Sequence, residues 1–195
     1  MSTDAALPHA LATHQETWLA QVEDYAQAYP AERGVATVFA RFMADDPLAA
    51  ARERREGHLT GSAWLVSGDG RRVLLTHHRK LDRWLQLGGH ADGDIDLARV
   101  ALREAEEESG LTGLVVESQI FDLDHHRIPA RGDDPEHWHY DVRFVVRACA
   151  DEAFAVSDES HALAWVDIAA IARDPAQDES LQRMARRWLA RTAPV

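Results

Sequence analysis

Between Gly89 and Leu111 the chain reads GHADGDIDLARVALREAEEESGL. Within it Leu97, Val100, Ala101, Glu104, Glu107 and Glu108 recur at the spacing of one stripe on a helix of about 3.6 residues per turn. The stripe begins apolar and ends acidic. If its apolar half seats the helix on a core, the same direction carries the three carboxylates inward, where like charges repel more strongly as they lose water. A cation relieves that repulsion. Clustered carboxylate oxygens with room for water suit a hard divalent ion such as Mg²⁺ or Mn²⁺, whose shell is completed by water and substrate phosphate. The competing reading is a solvated, Glu-rich helix end.

The neighbouring residues favour the inward reading. Arg103 stands beside Glu104, where a guanidinium can fix a carboxylate by a bidentate pair. Gly110 followed by Leu111 supplies a left-handed helix cap with its apolar contact. Ahead of the helix, Gly88-Gly89 is expected to make a tight turn whose backbone can come close to a ligand, and Asp92, Gly93 and Asp94 a loop that feeds the helix.

The segment resembles the signature of the Nudix hydrolases. In that family a Gly is followed after five residues by Glu, and after seven more by Arg-Glu, a bulky aliphatic residue, any residue, Glu-Glu, any residue, Gly and an aliphatic residue. Gly89, Arg103, Glu104, Glu107, Glu108, Gly110 and Leu111 match at the required spacing. Ala105 is smaller than the family's aliphatic residue, and Ile95 stands where its first Glu belongs. The resemblance implies that Glu104, Glu107 and Glu108 are metal ligands and that Arg103 orients Glu104. Asp94 and Asp96 flank Ile95 and are candidates to replace the missing carboxylate.

Composition narrows the partners. A chain of 195 residues with 46% hydrophobic content can bury a sizeable core, and one main domain with an appendage is the natural count. A net charge of -12 disfavours binding to a nucleic-acid duplex, which relies on Lys and Arg to neutralise phosphates. A small phosphorylated substrate would therefore be recruited through metal. The single cysteine, Cys149, cannot form an internal disulfide, and its apolar surroundings from Val145 to Ala150 suggest a buried thiol. The first residues have no basic start, and no run of about 18 apolar residues occurs, so a cytoplasmic protein without a membrane partner is expected.

Residues from about 12 to 55 read as helical. Trp18, Leu19, Val22 and Tyr25 make one apolar face, Pro30 interrupts, and Val35, Val38, Phe39, Phe42 and Met43 make another before Asp45-Asp46-Pro47. This is expected to be a helical extension, residues 1–57, packed on the domain formed by residues 58–195. A separate interaction module is the alternative, and the extension is the candidate face for a homodimer. From His58 the period becomes that of strands: 58–67 and 72–77 flank the turn Gly68-Asp69-Gly70, and 84–87 leads into the Gly pair. Further strands are expected at 114–123, 140–148 and 162–166, then a helix at about 179–190. Strands around a central acidic helix give an α/β/α sandwich with a mixed sheet. The Nudix resemblance implies the same fold.

The chemistry implied is a metal-dependent pyrophosphohydrolase acting on a nucleoside diphosphate linked to another moiety, or on a related organic pyrophosphate. Charge neutralisation and water activation are what an inert pyrophosphate bridge requires. The general base is one of the three glutamates or a carboxylate carried by a loop, for which Glu159, ahead of the strand at 162, is the best-placed candidate. Two other classes stay open. One is a non-catalytic nucleotide- or metal-binding protein on the same scaffold, motivated by Ile95. The other rests on the histidines, whose order resembles isopentenyl diphosphate isomerase, a Nudix-fold enzyme with the motif Cys-Gly-His-Pro before the helix. Here that stretch is Gly88-Gly89-His90-Ala91, without the catalytic cysteine.

A second metal site is expected from His58, His90, His139 and Asp141. His139 and Asp141 lie two apart on a strand and so share a face. Three imidazoles and a carboxylate suit Zn²⁺, Mn²⁺ or Fe²⁺ better than Mg²⁺. His77, His125 and His137 are reserve ligands, expected rather to meet substrate phosphate or solvent.

Overall fold

The structure, a computed structural model, describes residues 6–45, 49–79, 81–132, 135–149, 152–156 and 160–192. Its centre is a six-stranded sheet. The strands are β1 (Gly57–Val66), β2 (Arg72–His78), β3 (Arg83–His90), β4 (Val115–Ile128), β5 (His137–Arg147) and β6 (Ser160–Asp167), in the order β4-β5-β1-β3-β2-β6. β1 runs parallel to β5 and antiparallel to β3, which makes the sheet mixed, as expected. At the β1–β2 turn Ser67 and Arg72 are joined through backbone and hydroxyl bonds.

Both faces of the sheet are covered because its strands alternate. Leu59, Ala63 and Leu65 of β1, Leu87 of β3 and Val142, Phe144 and Val146 of β5 point to one side. There they meet Leu97, Val100, Ala101 and Ala105 of α3 (Leu97–Ser109). Trp64, Val66, Val73, Leu75 and Val145 point to the other, against α4 (Ile168–Arg173) and α5 (Glu179–Thr192). Burying side chains of this size contributes about 1.5–3 kcal/mol each before chain entropy is charged. α4 has no counterpart in the sequence reading. Six residues are too few to show a helical period, although Asp167, whose side chain accepts from Ala170 N at 2.7 Å, was a readable cap.

The N-terminal region forms α1 (Ala6–Ala28), a 3-10 turn at Pro30–Glu32 and α2 (Arg33–Asp45). Trp18, Val22, Tyr25, Phe39, Phe42 and Met43 are buried in the same core as α3. Phe42 stacks on Tyr140 of β5 with ring centroids 3.6 Å apart. Val38, expected on the apolar face, is instead 39% exposed, and residues 49–56 are turns and coil, not helix. Cys149 is also a correction. β5 ends at Arg147, so the thiol falls beyond the sheet and is exposed. Among the described residues, no helix is long and apolar enough to cross a membrane.

Candidate active site and histidine cluster

The Gly pair is not a turn. Gly88 and Gly89 lie inside β3, paired with Ser62 and Gly61 of β1, and the strand continues to His90. Glycine is required there for lack of room. A Cβ at Gly89 would lie 2.6 Å from Cδ of Glu104, and one at Gly88 would lie 2.7 Å from Cβ of Ser62. A strand and a turn both call for glycine when something must come close, which is why sequence alone favoured the wrong one.

α3 is held at both ends by local chemistry. Asp96 caps it by accepting from Arg99 N at 3.1 Å, and Gly110 ends it with φ 68 and a bond from its N–H to the carbonyl of Glu106. Asp94 accepts twice from the Arg99 guanidinium, at 2.7 and 2.9 Å. Both aspartates are thus engaged at the start of the helix, and Ile95 between them packs partly buried against the core.

The glutamates divide by their angle on the helix. At about 100° per residue, Glu104 and Glu108 fall within roughly 20° of the stripe's centre while Glu107 falls about 80° away. Their exposures follow: the Glu104 side chain is 16% exposed and the Glu107 side chain 65%. Glu108 is buried, and one of its oxygens accepts from the backbone N–H of Gly88 at 2.8 Å. Arg103 donates to Glu104 Oε1 at 2.8 Å and to the carbonyl of His90 at 3.1 Å, with Glu107 at 4.0 Å from its Nε. The arginine thus ties the glutamate to the end of β3 with one nitrogen, where a bidentate pair was expected. The structure brings Arg103, Glu104, Glu108, Gly88 and Gly89 together and leaves Glu107 at the exposed edge of the group. Glu159 lies outside the described residues.

An all-carboxylate donor set with one exposed member fits Mg²⁺ or Mn²⁺, which keep water in their shells. The narrow slot that Gly89 leaves for Glu104, a slot any Cβ would fill, supports the same fit.

The histidines form a second group. β1 and β5 pair His58 with His139, and β3 sets His90 opposite Thr60 on the same face. The rings of His58 and His90 are 4.9 Å apart, those of His58 and His139 5.0 Å, and those of His90 and His139 5.1 Å. Among the described residues, this is the one set of at least three ligand-type side chains whose donor atoms all lie within 4.8 Å of one another. Burial, more than any charge, pushes all three imidazoles toward the neutral form. His90 is pushed down to about 4 by burial and by Arg52, and His139 is lowered by burial and by His90 and His58. His58 is lowered by burial against a weaker pull from the Arg54 backbone.

Asp141 does not join them. Its carboxylate accepts from Thr60 at 3.0 Å, Ser62 at 2.7 Å, Gln86 at 3.1 Å and Arg143 Nε at 2.7 Å. Four bonds leave it no capacity for an ion, so the expected ligand belongs to a buried network instead. Arg143 sits at its centre, donating also to Asp122 at 3.1 Å and Asp124 at 3.0 Å. Arg183 and Arg187 of α5 close on the same Asp122. These long-range partners left no trace in the sequence. His137 is the other surprise: its Nε2 is 3.3 Å from that of His139, although period-two alternation with His139 made it readable.

This architecture, a mixed sheet with a glutamate-bearing helix fixed over a Gly-Gly strand end, defines a class. Residues 58–189 match the family model of the NUDIX domain. The chain belongs to the Nudix family. It is similar in fold to an Ap4A hydrolase from C. elegans (17% identity, TM-score 0.54, covering 68% of this chain and 95% of that one). It is also similar to the MutT protein from Methanosarcina mazei Go1 (18% identity, TM-score 0.56, 72% and 99%). A third likeness is the dihydroneopterin triphosphate pyrophosphohydrolase of E. coli (16% identity, TM-score 0.52, 69% and 96%). At these identities the likeness is one of fold. Comparison with proteins of curated function gives no match.

Proposed function

We propose that this chain is a metal-dependent pyrophosphohydrolase that cleaves a nucleoside diphosphate linked to another moiety, or a related organic pyrophosphate, in the cytoplasm. The observation that carries this reading is the seating of Glu104. It occupies space that only glycine at position 89 leaves open and is held there by Arg103. Glu104, Glu107 and Glu108 would hold Mg²⁺ or Mn²⁺, which when bound supplies charge neutralisation for the anhydride and acidifies a water. Arg103 keeps the Glu104 carboxylate aimed. The Gly88 N–H does the same for Glu108, and the exposure of Glu107 leaves it available on the solvent side. Glu159 remains the proposed base on its sequence position alone.

A second reading, binding without turnover, draws on the loss of a carboxylate at Ile95, with Asp94 and Asp96 both engaged at the start of the helix. The isomerase reading fares worse, since no cysteine side chain fits at Gly88. The test is a turnover screen with Mg²⁺ or Mn²⁺ across nucleotide sugars, dinucleoside polyphosphates, nucleoside triphosphates and non-nucleoside pyrophosphates. Release of phosphate or a monophosphate that is abolished in Glu108→Gln is expected. Nucleotide binding with no product after long incubation would establish the second reading instead.

A further inference from the structure

We propose that His58, His90 and His139, with His137 as the fourth donor, form a binding site for a borderline transition-metal ion, Zn²⁺ foremost, that is separate from the glutamate helix. The proposal stands whether or not the glutamates support turnover.

The spacing of the donors comes first. Three atoms that all lie within 4.8 Å of one another share a point no more than about 2.8 Å from each. A Zn–N bond is about 2.0–2.1 Å, so each imidazole needs to close by less than about 1 Å. Side-chain torsions absorb that without moving the strands. His137 lies outside that set of three but stands at ligand spacing from His139. Two nitrogens on one tetrahedral Zn²⁺ stand about 3.3–3.4 Å apart. The Nε2 atoms of His137 and His139 are 3.3 Å apart.

The protonation pattern fits as well. His137 Nδ1 lies 2.9 Å from the carbonyl of Pro135, an acceptor that can only take a proton from it. That bond fixes the tautomer in which Nε2 presents its lone pair, the arrangement that metal-ligating histidines use. His58 is 4% exposed, and neither of its ring nitrogens makes a hydrogen bond of ordinary geometry. A buried imidazole in that condition loses about 1–3 kcal/mol per unsatisfied polar atom, and a metal bond removes the loss.

The donor set then selects the ion. Imidazole nitrogens alone, with Asp141 fully engaged elsewhere, disfavour Mg²⁺ and Ca²⁺ and suit Zn²⁺, with Co²⁺ and Ni²⁺ as close substitutes. Arg52 donates to Nδ1 of His90 at 3.1 Å, and its side chain is exposed. An ion in the cluster takes over the role of that guanidinium as the positive partner of the imidazole, and an exposed arginine gives way at little cost. His90 also links the two centres, because its carbonyl accepts from Arg103. Metal at the cluster therefore fixes the strand end against which Glu104 is seated.

Protein purified without a polyhistidine tag, stripped with chelator and reconstituted with Zn²⁺, is to be assayed by elemental analysis after exhaustive dialysis. Wild type and Glu107→Gln are expected to retain about one equivalent, with at least about tenfold weaker binding in His90→Gln and His139→Gln. His90 is only partly buried and its substitution spares the core, so a folding defect in His139→Gln does not remove the comparison. Co²⁺ in place of Zn²⁺ is expected to give the intense visible bands of tetrahedral coordination in wild type and to lose them in His90→Gln. Less than about a tenth of an equivalent in reconstituted wild type would overturn the proposal. So would unchanged affinity in His90→Gln, or loss of the ion in Glu107→Gln, which would assign it to the glutamates.

Discussion

Replacing Gly89 by alanine should separate activity from stability. The added Cβ would lie 2.6 Å from Cδ of Glu104 and 2.9 Å from Oε1, whereas carbon and oxygen atoms in ordinary contact stand about 3.5 Å or more apart. The carboxylate must retreat by about 1 Å, and in doing so it loses its 2.8 Å bond from Arg103. A misplacement of that size costs about 100-fold in rate, or about 2.7 kcal/mol of transition-state stabilisation. The fold suffers less. The obstructing atoms are the far end of a flexible side chain, so overpacking should remain near the low end of its usual range, about 1 kcal/mol. Gly88→Ala is the contrast, because its Cβ would meet the Cα of Ser62 at 2.8 Å, and a backbone atom in the middle of a sheet cannot step aside. Steady-state turnover with Mn²⁺ and urea unfolding, measured on both variants, distinguish the two effects. The reasoning is refuted if Gly89→Ala keeps wild-type kcat, or if it loses activity only in proportion to unfolded protein.

Three further outcomes are expected. Arg143→Leu leaves Asp122 and Asp141 buried without their shared cation and should destabilise by about 3–5 kcal/mol, read by urea unfolding; a change under about 1 kcal/mol would show that Arg183 and Arg187 suffice. Because burial lowers the pKa of His58, His90 and His139 in the folded state, they contribute stability above the unfolded value of about 6.5 that is lost as pH falls through that value toward the lowered ones, about 4 for His90. In the presence of chelator, His139→Gln should therefore lose less stability between pH 7 and 5 than wild type, and equal losses would contradict the assignment. Cys149, being exposed, should react with a thiol reagent in native protein at the rate of an unfolded control, and slow labelling would argue for the buried placement.

What the sequence disclosed is what neighbours along the chain decide. The period of α3 and its Gly110 terminus are each set within a few residues, and both were read. The inward angle of Glu104 and Glu108 was readable on the same grounds, and so was the outward turn of Glu107, which lies at the edge of the stripe by the same step of about 100°. The fate of Asp141 was out of reach. Arg143, two residues on along the same strand, shares a face with it and was readable, but the Thr60 and Ser62 hydroxyls of β1 and the Gln86 amide of β3 reach it only because those strands become neighbours. The end of β3 failed for another reason: glycine marks tight approach as readily as it marks a turn.

Arg187 carries one more consequence. This α5 side chain bonds to Glu32 and Tyr25, 155 and 162 residues earlier, and lies 3.9 Å above the ring of Tyr29. Loops of that length close slowly, and they close only when both partners exist. The apolar faces of the N-terminal helices need only α3 and β5 to be covered, whereas their polar seam needs α5, so the last contact to form here is ionic and the docking of α5 is the step that salt should slow.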